Sequence, residues 1–278
     1  MKLNNKNKDV IAKTIYLPVD GRIIPLLIIS PKDKTDNATG VLWIHGDSFF
    51  ISLKELAYRS RGIDLVNRFG CVLVVPGYHL SLLHPYPIAI NECYEALRYM
   101  KNNHKSLGIN IDQLMIGGEG AGGGLCAALA MMARDKEEVN IAFQMPLYPM
   151  FDSFDADSSK NNRSLPWNAK LNHLAWRLYF RKDYGKEVSP YAFSSQQKDF
   201  SNLPAAYSFV CSEEPFLDET ITYFNNLSRA GVEAKLDIYD GVHHGFDIRK
   251  PNDPISKQAV ENFLTYFAYA RENFYAFN

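Results

Sequence analysis

The chain carries almost no net charge. Thirty lysines and arginines face 31 aspartates and glutamates, which leaves −1 over 278 residues. Such a balance gives no electrostatic pull toward nucleic acid or an anionic membrane. Cysteine is scarce as well: Cys71, Cys93, Cys126 and Cys211 are the four, and none stands in a C-x-x-C or other ligand spacing. Each lies in an apolar run, the pattern of buried reduced thiols rather than of a disulfide framework or a metal centre. No apolar stretch reaches the ~20 residues that span a bilayer. Residues 1–9 have scattered lysines but lack the apolar core of a signal peptide. Repeats and low-complexity tracts are missing too. These absences point to a cytoplasmic protein without a metal or cofactor. Its expected partner is a small molecule or another subunit, with a homodimer left open.

What is present suits one sizeable core. Apolar residues make up 46% and charged residues 22% of the chain, within the range of one large α/β domain covering residues 1–278. The early part reads as a hairpin, with Val10–Pro18 and Arg22–Ser30 joined at Asp20-Gly21. Apolar runs and helical patterns then alternate. Strands are expected at Gly40–His45, Cys71–Pro76, Leu114–Gly117, Ile141–Leu147, Ala206–Cys211 and Ala234–Tyr239. Helices are expected near Ser52–Arg68 (with a stop at Gly70), Pro87–Asn103, Ala121–Arg134, Asp218–Ala230 and Ile255–Phe274. Continuous apolar strands between amphipathic helices imply a doubly wound, mostly parallel sheet covered on both faces. Residues 151–202 break the rhythm with aspartates, asparagines, serines and then the aromatic stretch Trp167–Tyr184. That is too long for an ordinary connection and reads as a small inserted cap.

The chemistry concentrates at Gly118-Glu119-Gly120-Ala121-Gly122-Gly123, directly after one strand and opening a helix. A strand, a sharp turn and a helix flanked by small residues make the setting of a nucleophile elbow, G-x-S-x-G. Here the pattern is G-x-G-x-G, and an esterase-like elbow, a phosphate cradle and a plain structural turn all stay open on this motif alone. Two other features favour the elbow. His45-Gly46-Asp47-Ser48-Phe49 follows the Val41–Ile44 strand, where an oxyanion loop belongs. Glu214 and His244 follow the last two strands, so position 120, an acid and a histidine succeed one another in the chain order of this fold's triad.

The segments WIHGDSF, VVPGYHLS, PYPIAINECYEAL, GGEGAGGGL, SPYAFSS, LPAAYSFVCSEEPFLDE and LSRAGVEAKLDIYDGVHHGF together resemble the hormone-sensitive-lipase-like group of α/β-hydrolases, especially its small bacterial acetyl-esterase-like members. The resemblance runs from about residue 38 to the end. It implies an α/β-hydrolase fold and an esterase scaffold for short acyl esters. It places the nucleophile at position 120, the orienting acid at Glu214 and the general base at His244. It further implies that Gly46, Asp47 and Ala121 supply backbone donors to an oxyanion, and that residues 151–202 wall the pockets of a small-molecule ester or acyl ligand.

The departures fall on the catalytic side. Glycine at 120 cannot form an acyl-enzyme, so the chain should be impaired as a hydrolase, a pseudoenzyme on an esterase scaffold. The family's Gly-Gly-Gly run is Gly46-Asp47-Ser48 here. Its P-D-Y-R is Pro76-Gly77-Tyr78-His79, as though a structural ion pair had been released. A non-catalytic small-molecule-binding or regulatory protein is the competing class. Simpler readings hold elsewhere. His243 and His244 are adjacent loop residues that point apart and make no metal pair. Ser48 and Ser212 lie near strand ends, but the fold aims neither at His244. Trp167 and Trp176 read as packing for the cap.

Overall fold

The computed structural model describes residues 9–33, 36–46, 53–153, 155–186 and 190–278. Asp47 and Ser48 of the expected oxyanion loop lie outside them. Eight strands form one sheet in the order β1-β2-β4-β3-β5-β6-β7-β8: β1 (Val10–Val19), β2 (Arg22–Pro31), β3 (Ala38–Ile44), β4 (Val72–Pro76), β5 (Ile109–Glu119), β6 (Phe143–Leu147), β7 (Ala205–Cys211) and β8 (Ala234–Tyr239). The first hairpin is antiparallel and β2 pairs antiparallel with β4; from β4 onward every pair is parallel. Asp20 and Gly21, at φ 45° and 74°, form the tight turn that the Asp-Gly pair signals.

The period of two explains the layers. In β3 every residue is buried, yet neighbours face opposite ways. Leu42 and Ile44 join a core formed with α3 (Ile88–Asn102), which the single-turn α4 (His104–Leu107) follows, α5 (Ala121–Lys136) and α8 (Leu217–Arg229). Val41 and Trp43 join the opposite core, built with α1 (Leu53–Arg59), α2 (Gly62–Phe69) and α10 (Pro254–Asn273). A sheet covered on both faces follows, as the continuous apolar strands require.

One expected helix is two. The Ser52–Arg68 pattern is interrupted between α1 and α2, where the Arg61 backbone N–H donates to Glu119 Oε1 at 2.7 Å. A buried carboxylate outside the segment takes that N–H, and α2 restarts with Gly62 tight against Trp43, a Cβ there falling 2.7 Å from its ring. Gly70, at φ 69°, then ends α2 by returning its N–H to the Val66 carbonyl at 3.0 Å.

Between β6 and β7 lie α6 (Asp157–Lys160), α7 (Ala169–Phe180) and three single turns of 3-10 helix. Asn168 caps α7 by accepting from the Leu171 N–H. Trp176, Phe180 and Ala192 of this segment pack with Met150 and Phe216 into a cluster of their own above the sheet. Among the described residues no helix is long and apolar enough to cross a membrane.

Candidate active site

The C-terminal ends of β3, β5, β7 and β8 rise on one side of the sheet, and the chain turns away from β3 in opposite directions to form β4 and β5. That crevice is where open α/β sheets place their ligands. Ile44 is in register with Gly118 and Cys211 with Tyr239, so the residues just beyond them emerge at a common level.

At the end of β5, Gly120 swings the chain into α5 with φ 55° and ψ −118°. Its carbonyl accepts from the Gly124 and Met150 N–H groups, each at 3.0 Å, and its own N–H donates to the Leu147 carbonyl at 3.1 Å. The glycines around it are there for space. A Cβ on Gly118 would lie 2.5 Å from the carbonyl oxygens of Ile44 and Gly122. On Gly122 it would lie 2.1 Å from the Ile44 oxygen, and on Gly124 2.1 Å from the Met150 oxygen. Gly120 is different. A Cβ there would meet His244 Nε2 at 3.5 Å and Cε1 at 3.6 Å, ordinary contact distances. Only the positive φ favours glycine at this position.

His244 sits in the loop after β8, where Gly245, at φ 68°, opens the short helix α9 (Phe246–Arg249). Its Nδ1 hydrogen-bonds the Glu214 carboxylate. Glu214 is almost fully buried, and its Oε1 also accepts the Cys211 N–H at 3.0 Å and the Cys211 thiol at 3.4 Å. A carboxylate only accepts, so the shared proton resides on Nδ1 and Nε2 of the neutral ring presents a lone pair to the elbow. The rings of Tyr148 and Phe216 meet the imidazole edge to face at 5.0 and 5.3 Å, and Trp167 lies at 6.4 Å. Position 120, Glu214 and His244 are therefore brought together as their order in the sequence implies. Ser212 is not: its hydroxyl donates to Asp240 at 2.6 Å.

Two backbone positions complete the turn. Ala121 is the first residue of α5, where an N–H has no acceptor within the helix and the dipole is positive. Gly46 follows β3 so closely beside the elbow that a Cβ on it would lie 3.0 Å from the Glu119 carbonyl oxygen. His45 before it stacks on Tyr78 at 4.6 Å, and the Tyr78 hydroxyl donates to the His45 carbonyl at 2.8 Å.

Beneath the elbow lies a polar network whose partners are remote in sequence. Glu119 turns away from the crevice into the core, where it accepts from Trp43 Nε1 at 2.6 Å and from the Arg61 N–H. Burial pushes its carboxyl up to about 7, against the two hydrogen bonds that favour the ion. Arg61 pairs in turn with buried Asp247 at 3.3 Å, three residues past His244. Burial raises the Asp247 carboxyl as well, and Arg61 opposes that rise. A buried polar chain thus joins the elbow to the histidine loop.

The ion pair expected to be lost at Pro76-Gly77-Tyr78-His79 is present in another form. Glu92, buried on α3, accepts from the His79 N–H at 2.7 Å, from His79 Nδ1 at 2.8 Å and from Arg22 Nε at 3.0 Å. The histidine and an arginine from the first hairpin hold an acid that short-range spacing does not connect to them.

Against the elbow opens a cavity of about 370 Å³, bordered by Ala121, Leu125, Met150, Trp167, Leu174 and Tyr179 among others, with no charged side chain among the described residues that line it. One wall comes from the helix-bearing segment between β6 and β7. Among the described residues no cluster of histidine, cysteine or carboxylate side chains could hold a metal ion.

An eight-stranded, mostly parallel sheet with a sharp strand-to-helix elbow, a buried acid and a histidine at successive strand ends defines the α/β-hydrolase class. The alpha/beta hydrolase fold family matches the chain over residues 41–248, and the chain belongs to it. Its scaffold is that of the esterase- and lipase-like members. The chain is similar to an arylesterase of Saccharolobus solfataricus, 27% identical over 249 residues that cover 86% of this chain and 78% of that one. Among solved structures it superposes on a bacterial heroin esterase at a TM-score of 0.89, with 27% identity over 95% of this chain and 85% of the other. An esterase of Pyrobaculum calidifontis matches at a TM-score of 0.81, with 30% identity over 91% and 82% of the two chains.

Proposed function

We propose that this protein is a carboxylesterase-type α/β-hydrolase that binds a neutral ester or acyl compound and is impaired in hydrolysis because glycine occupies the nucleophile position. The observation that carries this reading is the Gly120–His244 geometry. A side chain on 120 would point at Nε2 from contact distance, yet glycine has no hydroxyl to be deprotonated there. In this reading Glu214 orients and stabilises the imidazole, His244 is the general base, and the N–H groups of Gly46 and Ala121 face the developing oxyanion. Asp47 belongs to the same loop by sequence. Residues 151–202 act as the cap of a single-domain hydrolase, and the apolar, uncharged cavity suits an ester with a hydrocarbon or aryl group.

Gly120→Ser tests it. Hydrolysis of short p-nitrophenyl esters should rise by about 10² or more, the scale on which a positioned nucleophile and base act together. A folded Gly120→Ser protein with no gain would sink the reading. The complete cavity also favours a second reading, a binding or regulatory protein that keeps the pocket without chemistry. In that case calorimetry finds a ligand bound by wild type, and Gly120→Ser hydrolyses nothing.

A further inference from the structure

The space beside Gly120 has a property that the loss of a nucleophile does not require: it stays open toward a base. The nearest atoms to a Cβ on residue 120 are His244 Nε2 and Cε1, at 3.5 and 3.6 Å, and among the described residues beyond its two chain neighbours no other atom comes within 4 Å. A Cβ on Gly118, Gly122 or Gly124 meets carbonyl oxygens at 2.1–2.5 Å instead. The opening is therefore bounded by an imidazole that a buried acid holds through its other nitrogen. It adjoins Ala121 at the N-terminus of α5, and Ala121 also borders the apolar cavity.

We propose that this opening is a site for a small external nucleophile, water or a short primary alcohol, and that the protein transfers the acyl group to it in one step without an acyl-enzyme. This rests on the proposed ester-binding site. The nucleophile donates its proton to His244 Nε2 as its oxygen bonds to the ester carbonyl carbon, and the carbonyl electron pair moves onto oxygen. On collapse the C=O bond re-forms, the bond to the leaving alkoxide breaks, and Nε2 returns the proton to that alkoxide. With water the products are the acid and the alcohol. With an added alcohol they are a new ester and the first alcohol. Atoms and charges balance without another reactant.

The outcome turns on whether the opening itself is used. Gly120→Ala places a methyl group in it without supplying a hydroxyl. Wild-type protein should hydrolyse p-nitrophenyl acetate above the buffer rate and with no pre-steady-state burst. Gly120→Ala and His244→Ala should each lower that turnover at least tenfold. Methanol should divert product to methyl acetate more efficiently than 1-butanol does. Gly120→Ser, which carries the same Cβ at the same backbone angle, shows by its thermal midpoint and activity that the elbow accepts a side chain. It should display a burst, the mark of an acyl-enzyme. A burst in wild type, or turnover untouched by Gly120→Ala, overturns the proposal. If wild type shows no turnover while Gly120→Ser is active, one-step transfer fails and the ester-binding reading survives. If neither is active although both are folded, that reading fails as well.

Discussion

The elbow has two sides, and glycine serves a different purpose on each. On the underside, Gly118, Gly122 and Gly124 let three stretches of backbone come within contact of one another, and a methyl group on any of them would strike a carbonyl oxygen. On the side of the histidine loop Gly120 faces an imidazole at ordinary contact distance. The sequence writes both sides with one letter. The structure separates glycine required by packing from glycine that has room for a side chain, and only the second kind can be changed without moving the backbone around it.

The widest gap should appear on the underside. Gly122→Ala puts a Cβ 2.1 Å from the Ile44 oxygen, backbone against backbone. The expected loss is about 4 kcal/mol or more, in the range reserved for overpacked or strained sites, seen as a collapsed urea midpoint or failure to purify folded protein. A mild effect there would erase the contrast. Gly120→Ser should cost only about 1–3 kcal/mol, the strain of a non-glycine residue at a sparsely populated backbone angle, while raising ester hydrolysis as described.

A third test addresses the carboxyl beneath the turn. Because Glu119 is raised to about 7 in the folded protein from an ordinary 4.5, the unfolded chain gives up this proton first as the pH climbs. Between about pH 4.5 and 7 folding takes up a proton, so this group makes stability fall with rising pH; below that window the penalty is absent, and above it the penalty is constant. Glu119→Gln should remove this slope, worth about 3 kcal/mol across the window at 1.36 kcal/mol per pH unit, together with a loss at every pH because the amide NH2 cannot accept and leaves either Trp43 Nε1 or the Arg61 N–H facing a donor. Urea midpoints of both proteins from pH 4 to 8 give the difference. Equal slopes would show that Glu119 does not titrate there. The smallest effect belongs to Gly231→Ala, at φ 79° with nothing within 4 Å of its Cβ. The backbone angle alone should cost about 1 kcal/mol, which calibrates the conformational part of the Gly120 substitutions.

Much of this was readable in the chain. Apolar runs such as GVLWIH and CVLVVP have no partner but a doubly covered sheet, and turn signals such as Asp20-Gly21 and Gly70 act locally. The order of position 120, Glu214 and His244 was legible because each follows a strand whose end the fold must align. What escaped depends on contacts remote in sequence. The break between α1 and α2 is made by Glu119, 58 residues beyond Arg61. Tyr148, whose ring abuts His244, sits at φ 35°, and no local pattern marks it. His79 reads as a lost arginine until Glu92 is seen to accept from it. An inward-pointing acid in an otherwise small-residue turn was the one available clue to the Glu119 network, since buried carboxylates demand donors.

Gly77 locks two parts of the scaffold together. A Cβ there would fall 2.7 Å from Pro25 and 2.9 Å from Leu53, while its N–H is tied to the Pro25 carbonyl at 2.8 Å. Pro25 and Leu53 fill the room a larger residue at 77 would need, so any side chain there requires the first hairpin or α1 to give way. Position 120 makes no such demand on the described residues around it. A change at 77 is therefore felt by two elements of the scaffold, whereas a change at 120 is felt by one imidazole edge.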